Sequence, residues 1–212
     1  MLTLKLASHG STTKVLCLGA HSDDIEIGCG GTILKLAETG VECCWVVFSA
    51  DATRRTEALR SADLFLSNES KRTVTVKDFK ESFFPFEGAE IKVFFEQLKQ
   101  EFTPDVVFTH YRHDLHQDHR VISDLTWNTF RSHLILEYEI PKYDGDLGSP
   151  NVFSGLDESL CSRKIQSLMA CFETQRQKHW FDEETFRAMM RLRGVECGER
   201  YAEAFYGRKL LL

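Results

Sequence analysis

The chain has 212 residues, 42% of them hydrophobic and 27% charged, which is enough for one domain with a full core. Lys and Arg number 26 against 32 Asp and Glu, a formal net charge of −6, so no overall basic field exists to condense onto nucleic acid or anionic lipid. The longest apolar runs, such as Val15-Leu16-Cys17-Leu18 and Val46-Val47-Phe48, fall far short of the roughly 20 residues that cross a bilayer. The first thirteen residues hold a single Lys and no apolar block ahead of a small-residue cleavage site, so they do not read as a secretory signal.

Taken in order, residues 14–20 form a β-branched and aliphatic run that ends in a polar, glycine-rich stretch, the pattern of a buried strand feeding a turn. After a turn over 28–32, Ile33, Leu34, Leu36 and Ala37 repeat at helical spacing up to Gly40. Residues 41–50 read as a second strand, with Val46, Val47 and Phe48 as the continuous apolar core that burial on both faces requires. If Cys43 and Cys44 share that strand, they point to opposite faces. A helix follows over 53–67, then a short strand over 73–76, a helix over 89–102 and a strand over 105–109. Further helices are expected at about 118–132, 157–171 and 182–193, with strand-like residues at 134–139 and one long loop at 141–150. This alternation, with no repeat and no linker, predicts a single α/β domain over 1–212, layered around a mostly parallel sheet.

The seven cysteines, at 17, 29, 43, 44, 161, 171 and 197, are odd in number and contain no C-x-x-C pair. Several lie in apolar segments where a thiol behaves as a small hydrophobe, so reduced thiols and a cytoplasmic setting are expected.

Ligand crevices of open parallel sheets lie beyond the carboxyl ends of the strands. Two polar clusters fall there: Ala20-His21-Ser22-Asp23-Asp24 after the first strand, and residues 110–119 after Val106-Val107-Phe108. The second holds His110, His113, His116 and His119 with Asp114 and Asp118, so half of the eight histidines occupy ten residues. The plain alternative for that stretch is a solvated, charged loop at a helix start, with Asp118 near the positive end. Imidazole and carboxylate are ligands that Zn²⁺ takes, and a catalytic site keeps three protein ligands and an open position. His21, Asp24 and one of the later histidines can supply such a set. Neighbouring Asp23 and Asp24 cannot easily bind one ion from the same face, so one ligates and the other acts. A carboxylate beside a metal-bound water can take its proton, which is hydrolytic chemistry. The run Gly28-Cys29-Gly30-Gly31-Thr32 is neither a dinucleotide fingerprint nor a P-loop, and its glycines serve close backbone approach.

With both clusters in hand, the chain resembles the PIG-L/LmbE family of zinc-dependent N-acetylglucosaminyl deacetylases. The family's Ala-His-Pro-Asp-Asp motif with its glycine pair is similar to Ala20-His21-Ser22-Asp23-Asp24 with Gly30-Gly31-Thr32. Its second motif is similar to Pro104-Asp105-Val106-Val107 followed by His116-Gln117-Asp118-His119-Arg120, about 95 residues on. Similarity extends to Arg54-x-x-Glu57, to Asp78, to Arg193-Gly194 and to Tyr201-Ala202-Glu203-Ala204-Phe205, so it covers most of the chain. Ser22 departs from the motif's proline, which frees one φ angle and removes no chemical group.

The resemblance implies a three-layer Rossmann-like (LmbE-like) fold. It implies that His21, Asp24 and His119 hold Zn²⁺, that Asp23 is the general base on the metal-bound water, and that His116 stabilises the oxyanion and protonates the leaving amine. Asp118 would orient a histidine, and Arg54 and Asp78 would meet sugar hydroxyls. Ligand type alone admits Fe²⁺ as readily as Zn²⁺. The implied reaction removes the N-acetyl group of a small GlcNAc-containing conjugate, with no nucleic acid and no transmembrane segment, and a homo-oligomer is compatible with it. The alternatives are a metal-dependent hydrolase of another amide or ester, and a catalytically silent sugar-binding protein. No role follows for His110, His113 or Asp114, and the segment around 138–151 is expected to shape the acceptor side of the pocket.

Overall fold

The computed structural model describes residues 3, 4, 6, 12–66 and 71–211. The expected helix end at Ser67 and most of the first thirteen residues lie outside them. The chain is an α/β fold around one seven-stranded, mostly parallel sheet. Its strands are β1 (Lys14–Gly19), β2 (Glu42–Val47), β3 (Lys71–Val76), β4 (Val106–His110), β5 (Leu134–Tyr138), β6 (Val152–Leu156) and β7 (Tyr201–Gly207). The helices are α1 (Asp24–Ala37), α2 (Ala52–Phe65), α3 (Gly88–Glu101), α4 (Gln117–Thr129), α5 (Glu158–Cys171) and α6 (Glu183–Cys197).

Strand order is β3-β2-β1-β4-β5-β7-β6. The first five strands pair in parallel, and β7 pairs antiparallel with both β5 and β6. β1 lies beside β4, with Val15 opposite Val106 and Cys17 opposite Phe108. From β1 the chain winds toward β2 and β3, and from β4 it winds the other way to β5. That reversal opens a crevice at the carboxyl ends of β1 and β4, where both polar clusters emerge.

Alternation along the strands divides the core in two. Val15, Cys17, Cys43, Trp45, Val47 and Phe108 face one side, where residues of α1, α2, α5 and α6 cover them. Leu16, Leu18, Cys44, Val46, Phe48 and Val107 face the other, packed by Ile91, Phe95 and Leu98 of α3 and Ile122 of α4. Cys43 and Cys44 thus sit in different layers, as strand geometry demands.

Two features differ from the sequence expectations. The stretch 28–32 is not a turn before a helix, because α1 already begins at Asp24 and runs through it, broken only at Cys29 (φ −140°, ψ 15°). A Cβ on Gly28 would lie 2.1 Å from the Tyr138 ring, on Gly30 2.6 Å from Phe65, and on Gly31 2.5 Å from Leu156. The glycines let this helix lie against β5, α2 and β6 at backbone distance. The second difference is the antiparallel pair β6 and β7, which has no counterpart in the expected elements. Among the described residues no helix is long and apolar enough to cross a membrane.

Candidate metal and catalytic site

β1 ends at Gly19, and the next residues turn straight into α1. The Ala20 N–H donates to His110 Nε2 at 2.9 Å, which ties the end of β1 to the end of β4. The His21 N–H donates to Asp24 Oδ2 at 2.6 Å, fixing that carboxylate under the turn. His119 arrives from the first turn of α4 and is 2% exposed.

These local constraints bring three donors together. His21 Nδ1 lies 3.4 Å from Asp24 Oδ2, His119 Nε2 lies 3.5 Å from Asp24 Oδ1, and the two ring nitrogens lie 3.3 Å apart. Each ring thus meets a different oxygen of the same carboxylate. A tetrahedral ion bonded at about 2.0–2.1 Å has ligands about 3.3–3.4 Å apart, which the two ring nitrogens match, while the carboxylate meets each ring through a separate oxygen. His116 with His21 and His119 forms one group able to hold an ion, and His110 with Asp24 and His119 forms another. His110 Nε2 lies 3.2 Å from Asp24 Oδ2, but its lone pair already accepts the Ala20 N–H at 2.9 Å, which makes it the poorer ligand.

The outer partners decide which nitrogen each imidazole offers. Asp118 Oδ2 lies 3.2 Å from His21 Nε2, leaving Nδ1 to face an ion. Asp118 also accepts the N–H groups of Ser82 at 2.6 Å and Phe84 at 3.2 Å. Ser82 reaches it with φ +66°, the one positive φ outside glycine among the described residues. Asp114 Oδ2 lies 2.9 Å from His119 Nδ1, leaving Nε2 inward. Carboxylate–histidine pairs of this kind fix tautomer and ring orientation at metal sites.

The electrostatics favour a cation. Burial works against a charged His21, but the Asp24 and Asp118 carboxylates outweigh it and raise the ring to about 10. Burial also opposes charge on Asp24, yet His119, His110 and His21 hold it well below the usual carboxylate range. Burial and the neighbouring His110 lower His119 to about 3, keeping its lone pair free. A divalent ion can take the place of the proton that these surroundings attract.

Asp23 stands apart from the donor set. It precedes α1 at the capping position, but its side chain makes no capping hydrogen bond. Burial and the Asp24 charge raise its carboxyl to about 6. The His116 ring lies 4.8 Å from that of His21 and 4.6 Å from that of His119, centroid to centroid. Its Nδ1 accepts the Asp118 N–H at 3.2 Å, and burial with the His21 charge lowers its pKa. With Nδ1 occupied as an acceptor, Nε2 is the nitrogen placed to carry a proton.

Arg54 and Asp78 are placed differently. Arg54 sits in the first turn of α2 and forms an ion pair with Glu81, whose charge adds to the field on His21. Asp78 is exposed, and its backbone makes a bridge with Ser49 beyond the end of β2. Among the described residues, no hydrogen bond or ion pair joins Arg54 or Asp78 to the histidine cluster. His113 is exposed and packs edge-on against Tyr111 at 5.4 Å. The partnership of Asp114 with His119 was hidden in the sequence, whose only hint was an acidic residue five positions before a histidine.

Comparisons with known proteins bear on the family and the fold. Residues 16–130, slightly more than half of the chain, match the family described as PIG-L: GlcNAc-PI de-N-acetylase. The chain is 27% identical over 174 residues to the uncharacterized deacetylase YaiS of Escherichia coli K12, covering 77% of this chain and 92% of that protein. It is similar to the N,N'-diacetylchitobiose deacetylase of Pyrococcus horikoshii, with 25% identity, TM-score 0.71, and coverage of 92% of this chain and 84% of the other. GalB, the 4-carboxy-2-hydroxymuconate hydratase of Pseudomonas putida KT2440, shares the fold at 17% identity and TM-score 0.77, over 95% of this chain and 98% of its own. With both motifs converging at one crevice and the family match spanning them, the chain belongs to the PIG-L family.

Proposed function

We propose that the protein is a zinc-dependent deacetylase that removes the N-acetyl group from a GlcNAc-type sugar conjugate, with residues 1–212 as one domain. The observation that carries this reading is the convergence of His21, Asp24 and His119 beside a buried carboxylate, Asp23, that caps nothing. The fold alone does not decide the reaction, since GalB is a hydratase.

His21, Asp24 and His119 would hold a divalent ion, which would supply Lewis acidity toward an acetamido carbonyl and a water. Asp23, buried and free of any capping role, accepts the proton of the attacking water. His116 donates from Nε2 to the oxygen that becomes negative in the tetrahedral state, a contribution on the order of 10²–10³ in rate. As the C–N bond breaks, the proton that Asp23 took from the attacking water passes to the departing amine nitrogen, and His116 keeps its own Nε2 proton. Asp118 and Asp114 keep the two ligating rings in place and exchange no proton with substrate. Arg54 and Asp78 are assigned to sugar hydroxyls, with Arg54 released from Glu81 when substrate enters. Free thiols at all seven cysteine positions support a reducing, cytoplasmic setting.

The test is metal analysis of freshly purified protein, coupled to acetate release from GlcNAc conjugates and from simple N-acetyl amines. Stoichiometric zinc and selective turnover of the sugars are expected. Turnover of simple amides or esters in preference to sugars would reassign the substrate class, and zinc binding without any turnover would favour a silent sugar-binding protein.

A further inference from the structure

The segment joining β5 to β6 turns its side chains against expectation. Tyr143 is 65% exposed and Leu147 45% exposed, while the Lys142 side chain is only 7% exposed. Lysine rarely accepts such burial without a partner. Here it meets two buried carboxylates. Lys142 Nζ lies 3.0 Å from Asp114 Oδ2 and 2.5 Å from Asp146 Oδ2, with the more exposed Asp144 farther off at 3.9 Å. The Asp114 oxygen is the same one that meets His119 Nδ1 at 2.9 Å.

The rest of the segment is anchored independently. Arg193 grips Glu139 through two bonds of 3.0 and 2.9 Å and reaches the Gly148 carbonyl at 3.1 Å. Tyr206 donates to Glu139 at 2.7 Å, and the Gly148 N–H donates to it at 3.1 Å. Asp146 accepts the Leu115 N–H at 2.7 Å, so the segment and the His110–His119 stretch are joined at Asp114 and Leu115. Among the described residues Lys142 is the cation paired with Asp146, so without the ammonium the Asp146 charge would stand close to Asp114 with only the Leu115 N–H on it.

We propose that Lys142 is a positioning residue of the metal centre: it offsets the Asp146 charge beside Asp114, holds the Asp114 carboxylate on His119 Nδ1, and so fixes the ring that presents Nε2 to the ion. The proposal rests on the reading of His21, Asp24 and His119 as metal ligands. It makes the loop between β5 and β6 part of the metal centre rather than only a wall of the substrate pocket.

The experiment measures zinc affinity by competition with a chromogenic chelator for the wild-type chain, Lys142→Met, Asp146→Asn and the double variant. Urea unfolding of each apo-protein and the visible spectrum of the Co²⁺ form accompany it. Lys142→Met is expected to weaken zinc by about 10–100-fold, the usual cost of losing an outer partner. Asp146→Asn should stay near wild type, and the double variant should recover most of the loss because the opposing charge is gone. Should Lys142→Met fail to fold, Lys142→Gln carries the same comparison. Unchanged affinity and Co²⁺ spectrum in the lysine variants, or a loss that the double variant does not recover, overturns the proposal while leaving the metal reading intact. A wild-type chain that takes up no zinc overturns both.

Discussion

Lys164 Nζ lies 2.6 Å from Glu203 Oε1, with neither side chain more than 3% exposed. The pair repairs the break in α1. Glu203 accepts the N–H groups of Gly31 at 2.7 Å and Thr32 at 2.6 Å, and Lys164 Nζ donates to the Ile27 carbonyl at 2.7 Å. In an unbroken helix the Gly31 N–H would have bonded to the Ile27 carbonyl. A carboxylate from β7 and an ammonium from α5 stand in for that bond, so the helix that begins at Asp24 is held by the far end of the chain.

Removing one partner of this pair leaves a buried charge uncompensated. Lys164→Met is expected to destabilise the protein by about 3–5 kcal/mol. Urea unfolding followed by circular dichroism measures it, and a loss below about 1 kcal/mol would show that water reaches Glu203.

Gly28 offers a packing test. Its missing Cβ would fall 2.1 Å from Tyr138 Cδ2, whereas a Cβ on Gly88 meets nothing within 4 Å. Gly28→Ala should cost about 1–3 kcal/mol through forced movement of the ring. Gly88→Ala, in the first turn of α3, should be neutral or stabilise by up to about 1 kcal/mol. Equal thermal midpoints for the two variants would contradict the close approach of α1 to β5.

Ligation and proton transfer should separate on mutation. Asp23→Asn is expected to retain metal stoichiometry and to lose about 10²–10⁴ in kcat. Asp118→Asn withdraws the charged partner of His21 Nε2 and should weaken metal binding by about 10–100-fold. Elemental analysis beside acetate release distinguishes the two, and near-normal turnover in Asp23→Asn would refute its role as base.

Thiol reactivity follows burial. Six cysteines are buried and Cys197 is partly exposed. Burial raises the Cys44 thiol to about 12 and raises Cys17 and Cys29 as well, so little thiolate exists near neutrality. A chromogenic disulfide reagent in mild alkali should titrate one thiol rapidly in the native chain and all seven in denaturant. Rapid reaction of several thiols in the native state would mean that the helical layers pack less tightly than described.

The sequence by itself determined the parallel core strands, the helices between them and the two clusters that close the site. Continuous apolar runs such as Val106-Val107-Phe108 and the spacing of His116, Asp118 and His119 are local patterns, and local patterns report burial and chemical type. The tertiary structure alone decided that α1 begins at Asp24 and crosses its glycines, because a helix broken at Cys29 survives only where Glu203 and Lys164 supply the missing bonds. It also decided which ring nitrogen each histidine offers, through Asp118 on His21 and Asp114 on His119, and it turned Lys142 inward. These pairings join segments distant in sequence or reversed in exposure, and periodicity carries no information about which buried charge will meet which.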